Sequence, residues 1–501
     1  METVLTFIKS FIPSKYQKAV FDFIVNGVGN AVINAVAGSG KSTTIVQGMK
    51  LIPSNLKVLF LAFNKRIVEE LIVKVNDPSK TIKTLNALGH SAVVKAYGRV
   101  TVDVRKYTNY VTNGFKNGLF NSTRDLTDFE FGVYRDNIYN LINYYRVNNC
   151  KTVNDLTPIC EKFNIIVMDN EFEIVERAIR WGLNETKTID FVDQLFFPVA
   201  KNWEMEKYDF ILIDECQDLS AVQRELFLKS LATNGRFIAV GDPHQAIYGF
   251  AGADADSFQQ LQAIPNTITL PLSVCYRCGS DIVEKAKTLV PQIEARENAP
   301  VGVIDEKAKL ADVVDGDMVL CRNTAPLVRL CMQYISQNVK AYVVGRDIGA
   351  NLISLIKKTN KTLTVDVLNR LSIDLSELGQ KIMSKTGCEV KELNDMPSYA
   401  LLRDKIECIE VIAGGLKYAS QAIDRIELIF KDEQKSGIAL STVHKAKGLE
   451  SDNVYIICPN KFYNRRSMKK EWSAQQEKNL VYVAYTRPKN KLGFITDFEC
   501  K

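Results

Sequence analysis

The feature that most constrains this chain is the stretch Asn34-Ala35-Val36-Ala37-Gly38-Ser39-Gly40-Lys41-Ser42-Thr43-Thr44, which directly follows the short apolar run 31–33. A phosphate-binding loop needs an apolar strand to aim it and small residues that let backbone N–H groups reach an anion. It also needs a lysine for the phosphate charge and a hydroxyl for magnesium. Gly38, Gly40, Lys41 and Ser42 supply these groups, and Ala37, Ser39 and Thr43 complete the loop. Ala35 stands where the pattern has its first glycine and is small enough to keep the turn. The pattern predicts a helix over 43–50 that stops before Pro53 and turns its partially positive N-terminus toward the phosphates. Strand, loop and helix in that order predict a bound nucleotide.

A nucleotide is hydrolysed only if acids follow in the right place. The apolar run 210–213 closes on Asp214 and Glu215. It reads as a buried parallel strand that delivers two carboxylates to its C-terminal end, where open α/β sheets bind ligands. Asp214 is the candidate partner of Ser42 on magnesium, and Glu215 the candidate that orients and deprotonates the attacking water. An isolated Asp-Glu after a strand is ordinarily a solvated pair; behind a phosphate loop it reads as hydrolytic machinery.

The carboxylates continue as Asp214-Glu215-Cys216-Gln217-Asp218, and Val240-Gly241-Asp242-Pro243-His244-Gln245-Ala246-Ile247-Tyr248-Gly249-Phe250 follows. Further on come Tyr276-Arg277, Thr442-Val443-His444-Lys445-Ala446-Lys447-Gly448-Leu449-Glu450 and Val481-Tyr482-Val483-Ala484-Tyr485-Thr486-Arg487. In order and spacing these motifs resemble those of superfamily 1 helicases of the UvrD/Rep/PcrA type. Gln17 ahead of the loop and Phe63-Asn64-Lys65 extend the match. The resemblance implies an α/β fold: two RecA-like parallel-sheet domains in tandem, with inserted, mainly helical accessory subdomains. It also implies ATP and Mg2+ as cofactors. Gln17 matches the adenine-reading glutamine, Tyr276 the ring stacked on the base, Glu450 a ribose contact and Gln245 the γ-phosphate sensor. Arg277 and Arg487 match the arginines that stabilise charge on the transferred phosphoryl group. Phe63, Tyr248 and Phe250 are the matching aromatics for base stacking, with core packing as the competing reading for Phe63. Asn64, Thr84, Thr442 and His444 match phosphate or sugar contacts.

Apolar runs recur at 31–35, 58–62, 210–213 and 237–240, and again at 267–270, 318–321, 341–344, 438–442, 454–458 and 480–484. Two parallel sheets with helices on both faces are predicted. With the resemblance, residues 1–89 and 195–264 are expected to form the first, ATP-binding domain, and 265–346 and 436–501 the second. The insertion 90–194 is rich in tyrosine, asparagine and charge at helical spacing, and 347–435 reads as a shortened second insertion.

Composition sets the remaining bounds. A chain of 501 residues with 46% hydrophobic content fills several cores. Because 64 basic residues nearly balance 58 acidic ones, any nucleic-acid groove must be a local basic surface. Eleven cysteines without a framework predict reduced thiols and a cytoplasmic setting, the host's if the source is viral. Cys275-x-x-Cys278 brackets Tyr276 and Arg277 and has no second pair nearby, so zinc is not the expected reading. Lys9 and Lys15 interrupt any signal-peptide core, and no run approaches the roughly 20 apolar residues of a membrane span.

Three departures from the family pattern bear on mechanism. Thr43 replaces the arginine that usually follows the loop hydroxyl, Ala251 replaces the arginine after the motif III aromatic, and the usual Thr-x-His reads Thr84-Leu85-Asn86. Relatives carry a strand-separating hairpin just after the last motif, whereas Lys501 lies soon after Arg487. The segment 461–472, with Phe462, Tyr463, Arg465, Arg466, Lys469 and Lys470, reads either as a substitute wedge or as a solvated basic loop. The leading expectation is an ATP-dependent helicase moving 3′ to 5′ on single-stranded DNA. A translocase that remodels protein–DNA complexes and a nucleotide-gated DNA-binding module are the alternatives. Expected partners are single-stranded and tailed duplex DNA and proteins of replication or repair; the sequence leaves the oligomeric state open and is compatible with a monomer.

Overall fold

The computed structural model of the chain describes residues 12–121, 128–167, 170–247, 256–432, 436–462 and 471–499. They fall into two compact units, Met1–Val274 and Cys275–Lys501.

The first unit is built on a sheet of β1 (Asn30–Ala35), β2 (Val58–Ala62), β3 (Lys80–Thr84), β6 (Tyr208–Ile213), β7 (Leu231–Gly241) and β8 (Thr267–Leu272). Between β3 and β6, β4 (Thr101–Val102) and β5 (Thr188–Ile189) form a separate two-stranded ribbon. The large sheet runs β3-β2-β6-β7-β1-β8 with every pairing parallel. Strands buried on both faces must be apolar at every position, and all five residues of β2 are buried. Leu59 and Leu61 face one core, together with Val32, Ile211 and Ile213. Val58, Phe60 and Ala62 face the other, with Ile33, Leu212 and Val240. Helices Lys15–Asn26, Lys41–Met49 and Lys65–Val75 cover the second face through Phe21, Ile45 and Leu71.

The insertion after β3 is helical, as expected, with helices Leu85–Tyr97, Lys106–Lys116, Asp128–Val147, Glu171–Asn184 and Asp193–Ala200. It is not a lobe with a separate core: Leu88, Tyr107, Ile138, Val175 and Phe196 share one cluster with Leu59 and Ile211 of the sheet. Inside it lies a closed ionic network. Arg146, 0% exposed, donates to both oxygens of Asp190 at 2.8 and 2.9 Å and to Asp193 at 2.9 Å. Lys106 Nζ reaches the other Asp193 oxygen at 2.7 Å, and the Tyr107 hydroxyl donates to Asp193 at 2.8 Å.

The second unit opens on a short ribbon of β9 (Val274–Cys275) and β10 (Glu294–Ala295). Its sheet comprises β11 (Val303–Ala308), β12 (Met318–Cys321), β13 (Ala341–Val344), β14 (Phe430–Lys431), β15 (Ile438–Thr442), β16 (Ser451–Ile457) and β17 (Pro488–Ile495). The order is β11-β17-β16-β12-β15-β13-β14, again parallel throughout. The second insertion packs helix Pro397–Ala413 into this unit's own core through Ile406, Ile409 and Ile412, and returns along β14 as an edge strand.

Two expectations are corrected. Run 267–270, assigned to the second sheet, belongs to the first: β8 pairs with β1 from Asn30↔Thr267 to Ala35↔Leu272. Run 480–484, read as a strand, lies within helix Glu471–Tyr485. Five consecutive buried residues suit a core-embedded helix as well as a strand, and periodicity cannot separate the two.

Removing one member of a buried ion network strands its partners. Arg146→Ala should therefore destabilise the first unit by about 3–5 kcal/mol, read as an earlier unfolding transition in urea.

Candidate nucleotide and nucleic-acid site

Parallel pairing sends the C-terminal ends of β1, β7, β6, β2 and β3 to one edge of the first sheet, in that spatial order. Each end carries a predicted site residue. Past β1, Gly38 and Gly40 take φ of 67° and 75°, a left-handed backbone open to glycine at little cost, and Gly40 caps helix Lys41–Met49. The Ser39 hydroxyl is buried in this loop with no hydrogen-bond partner. A buried, unsatisfied donor beside a helix N-terminus suits a phosphate oxygen.

Beside the loop, Lys41 Nζ lies 3.3 Å from Glu215, and the Ser42 hydroxyl donates to Asp214 at 3.4 Å. Burial pulls the Lys41 pKa down, but the carboxylates of Glu215, Asp242 and Asp214 outweigh it and leave it raised. Burial, reinforced by the negative Glu215, pushes Asp214 up to about 7. Asp242 is raised by burial as well. Three acids facing one ammonium form a site short of positive charge, and the Ser42–Asp214 pair offers hard oxygens of the kind magnesium uses alongside phosphate.

Glu215 has φ 53°. Of the ten described non-glycine residues at positive φ, eight are asparagines, which tolerate the region; Glu215 is one of the other two. Such a conformation costs of order 1–3 kcal/mol and persists only where its surroundings impose it. Here they do: Glu215 N donates to Asp214 at 2.9 Å, and Gln217 Nε2 donates to the Glu215 carboxylate at 2.5 Å. Gln217 Oε1 accepts from Asp242 N at 3.0 Å, and Gln245 Nε2 donates to Asp242 at 2.6 Å. A chain of bonds thus joins Glu215 to Gln245. Gln217 was not singled out as a site residue, although it stands within the quoted Asp-Glu-Cys-Gln-Asp motif. A Cβ on Gly241 would sit 2.4 Å from Gln217 Oε1, so the link requires glycine there.

Gln17 is buried with its amide engaged. It donates to the Thr44 hydroxyl at 2.9 Å and accepts from Ser14 N at 3.0 Å, within the capping box of helix Lys15–Asn26. Thr43 is exposed.

Farther along the same edge Phe63 is 55% exposed, which excludes the core-packing reading. Asn64 and Thr84 cap helices Lys65–Val75 and Leu85–Tyr97, accepting from Ile67 N and Ala87 N. Phe191, also 55% exposed, is a second aromatic that sequence reasoning missed. Asn86 donates to its carbonyl at 2.8 Å and to Gln194 Oε1 at 3.0 Å. Nothing in the local pattern marks Phe191 as exposed. The only signal is a phenylalanine held between Asp190 and Asp193. Tyr248 and Phe250, Ala251, and residues 463–470 of the basic segment lie outside the described residues.

The second unit holds its own cluster. Arg277 donates to Glu450 at 2.8 Å and to the Thr486 carbonyl at 3.1 Å, and Lys489 pairs with Glu450 at 3.1 Å. Arg487, 1% exposed, donates to the carbonyls of Val483 and Leu449 at 2.9 and 3.1 Å. Tyr276 is exposed. At the C-terminal end of β15, Thr442 accepts from Lys445 N at 3.4 Å. Burial, then the positive Arg322 and Lys445, pushes His444 down to about 3, so its imidazole is neutral. Among the described residues no group of three or more metal-binding side chains occurs, and no helix is long and apolar enough to cross a membrane.

The family model for the UvrD/REP helicase N-terminal domain matches residues 17–265, and that for the UvrD-like helicase C-terminal domain matches 418–498. The chain belongs to the UvrD/Rep helicase family. Among its relatives is F-box DNA helicase 1 of Gallus gallus, 23% identical over 92% of this chain and 46% of that protein. F-box DNA helicase protein 1 of Schizosaccharomyces pombe is 26% identical over 57% of this chain and 34% of that protein. DNA helicase II of Escherichia coli is 33% identical over 18% of this chain and 13% of that protein. The UvrD-type chain thus spans less than half the length of these relatives.

A metal held by Asp214 would require its ionised form, so a magnesium–nucleotide complex bound there would displace its proton. Affinity should fall as pH drops through about 7, and binding at about pH 6 should release a proton that Asp214→Asn does not. Titration calorimetry in buffers of different ionisation enthalpy reads this directly. The same shift makes the ligand-free protein lose stability as pH climbs from about 4 to about 7, because the folded state retains a proton that the unfolded chain gives up.

Proposed function

We propose that this chain is an ATP-driven motor that moves 3′ to 5′ on single-stranded DNA and separates duplex strands. The observation that carries the reading is the order of strand ends in the first sheet. The phosphate loop after β1 and the carboxylates after β6 share one edge with exposed Phe63 after β2. Three strand spacings, about 15 Å, separate β1 from β2. A change at the nucleotide thus needs to cross only a few side chains to reach a stacked base. The names of the relatives, all DNA helicases, support DNA as the track.

In this reading Lys41 and the loop N–H groups hold the β- and γ-phosphates, and Ser42 and Asp214 hold magnesium. Bound Mg2+–ATP supplies the phosphoryl group and neutralises its developing charge. Glu215, fixed in its left-handed conformation by Gln217, orients water and accepts its proton. Gln245 senses the γ-phosphate and, through Asp242 and Gln217, the state of Glu215. Arg277 and Arg487 are assigned as phosphate contacts on the family pattern, and Gln17, Tyr276 and Glu450 as adenine, base and ribose contacts. On the DNA side Phe63 and Phe191 stack bases, and Asn64, Thr84, Thr442 and His444 contact the backbone. A neutral His444 acts as a hydrogen-bonding group, so its contribution to binding is insensitive to salt, unlike that of a lysine–phosphate contact.

Glu215→Gln should lower DNA-stimulated ATP hydrolysis by about 10²-fold or more and abolish displacement of a 3′-tailed duplex. Opening of the 5′-tailed substrate instead would reverse the polarity, and stimulated hydrolysis without displacement would reduce the motor to a translocase. Base stacking contributes about 1–3 kcal/mol per base. Phe63→Ala and Phe191→Ala should each raise the single-stranded DNA concentration for half-maximal hydrolysis by about five- to a hundredfold, with little change at saturation.

A further inference from the structure

The helical insertion holds a cavity of about 350 Å³ that the nucleotide and stacking assignments leave unused. One wall is aromatic: Tyr110 and Trp181 stack with ring centres 4.1 Å apart, 13° from parallel. Phe120 meets Tyr110 edge-on at 5.6 Å and Tyr107 meets Trp181 edge-on at 5.9 Å, so both rings are held in place by the fold itself. A second wall is amide. Asn109, Asn113 and Asn117 recur every four residues along helix Lys106–Lys116 and its C-cap, which sets them on one face. Asp103 and Glu185 add two carboxylates to the lining. Glu185 Oε1 accepts from Lys187 N at 2.7 Å and from Thr188 N at 3.2 Å. Asp103 Oδ1 accepts from Arg105 N at 2.9 Å, and its Oδ2 accepts from Asn109 Nδ2 at 3.4 Å. Backbone donors thus fix each acid through one of its oxygens. The lining cation, Lys106, is buried and spends its ammonium on Asp193 at 2.7 Å and on the Gly182 carbonyl at 3.3 Å.

We infer that this cavity takes a single guanine base turned out of the DNA strand that passes over Phe191. The lining chooses the ligand. An aromatic wall asks for a planar group, and amides that both donate and accept ask for a polar edge. Fixed carboxylates accept hydrogen bonds and repel phosphate, so the ligand enters by an uncharged edge that carries donors. Guanine offers one carboxylate two neighbouring N–H donors, on N1 and N2, while its O6 and N7 accept from an amide. Adenine and cytosine set one amine beside a ring acceptor, and thymine has a lone N–H between two carbonyls, so each turns an acceptor toward the acids. A cationic amine is disfavoured because positive charge already stands at the walls. Lys106 Nζ lies 5.5 Å from the Trp181 ring centre, and Arg177 Nη1 donates to the carbonyl of Leu119, another lining residue, at 3.4 Å. The path from the DNA surface is short: Thr188 lines the cavity three residues before Phe191, at most about 11 Å along the chain. Exposed Arg105, Lys116 and Lys187 each adjoin a lining residue in the chain, where they meet the phosphates that stay outside. In single-stranded DNA the base turns out without a pair having to break. A motor with this site grips its track more tightly at guanine than at thymine.

The choice of base stands on the lining, whereas the strand that delivers it rests on the DNA reading above. The test measures, by fluorescence anisotropy, binding of the full chain to an oligothymidylate and to the same oligonucleotide with one central guanine. The parent, Glu185→Gln and Asn113→Ala are compared. The guanine should tighten binding to the parent about five- to a hundredfold. Each variant should lose most of that gain, yet bind oligothymidylate and hydrolyse ATP on it like the parent. Glu185→Gln keeps an oxygen for the two backbone donors and replaces the other with an amide, and Asn113 is exposed, so neither change threatens the fold. A second arm titrates free guanosine calorimetrically with the phosphate loop filled by Mg2+–ADP. Guanosine should bind, more weakly in both variants, and thymidine and spermidine should not. Equal affinity for the two oligonucleotides overturns the proposal. A guanine preference that survives in both variants also overturns it, because the base is then read elsewhere. Spermidine binding in place of guanosine would assign the cavity to amines and overturn it as well. Failure to bind either oligonucleotide would instead sink the DNA reading, and the guanosine titration would still decide what the cavity takes.

Discussion

The parallel ladder β1·β7·β6 is the constraint on which the site depends. Ile33 pairs with Val240, and Ala239 with Ile213, so the loop beginning at Val36 is held beside segments about two hundred residues later. Closing chain segments of that length costs conformational entropy. The burial of Val32, Leu212, Val240 and their neighbours offsets it, each fully buried side chain contributing about 1.5–3 kcal/mol. Because every strand runs the same way, the loops at one edge are forced together and their charges must coexist. Lys41 among Asp214, Asp242 and Glu215 is a direct result of that topology.

That crowding gives the site its chemistry. A carboxyl raised to about 7 is an acid waiting for a cation, and the left-handed Glu215 stores strain that Gln217 holds in place. Both are unfavourable in the ligand-free fold, and both would be relieved or used by the magnesium–nucleotide complex proposed above. The Glu215–Gln217–Asp242–Gln245 chain spans the loops after two adjacent strands, so an effect on one end reaches the other through three hydrogen bonds, one of them from a backbone donor.

Legibility in the sequence followed the range of the interactions. The phosphate loop, the Asp-Glu pair and the two parallel sheets were readable because each is signalled within about ten residues. Assignment of β8 was not, since Thr267–Leu272 reads as a strand whichever sheet takes it, and only its pairing with β1 decides. The helix at 480–484 was misread because burial on all sides erases the period that separates helix from strand. Gln217 could be quoted but not placed: its role depends on Asp242 N, which arrives from the next strand. Exposure of Phe191 depends on a cluster whose members lie more than forty residues apart.

That cluster changes how the helical insertions are to be understood. Arg146 holds Asp190 and Asp193, Lys106 and Tyr107 close on Asp193, and Phe191 projects from the turn so fixed. Asn86 ties the same turn to the start of helix Leu85–Tyr97, whose cap is Thr84 at the end of β3. Phe191 is therefore positioned from two directions, by the insertion's buried charges and by the sheet's own edge. A shift at the start of helix Leu85–Tyr97 therefore bears on the turn that carries Phe191 through Asn86. The insertion shares its core with the sheet through Leu88, Tyr107, Ile138 and Val175 packed with Leu59 and Ile211, so the turn that carries Phe191 is anchored to the same core that holds β2 and β6.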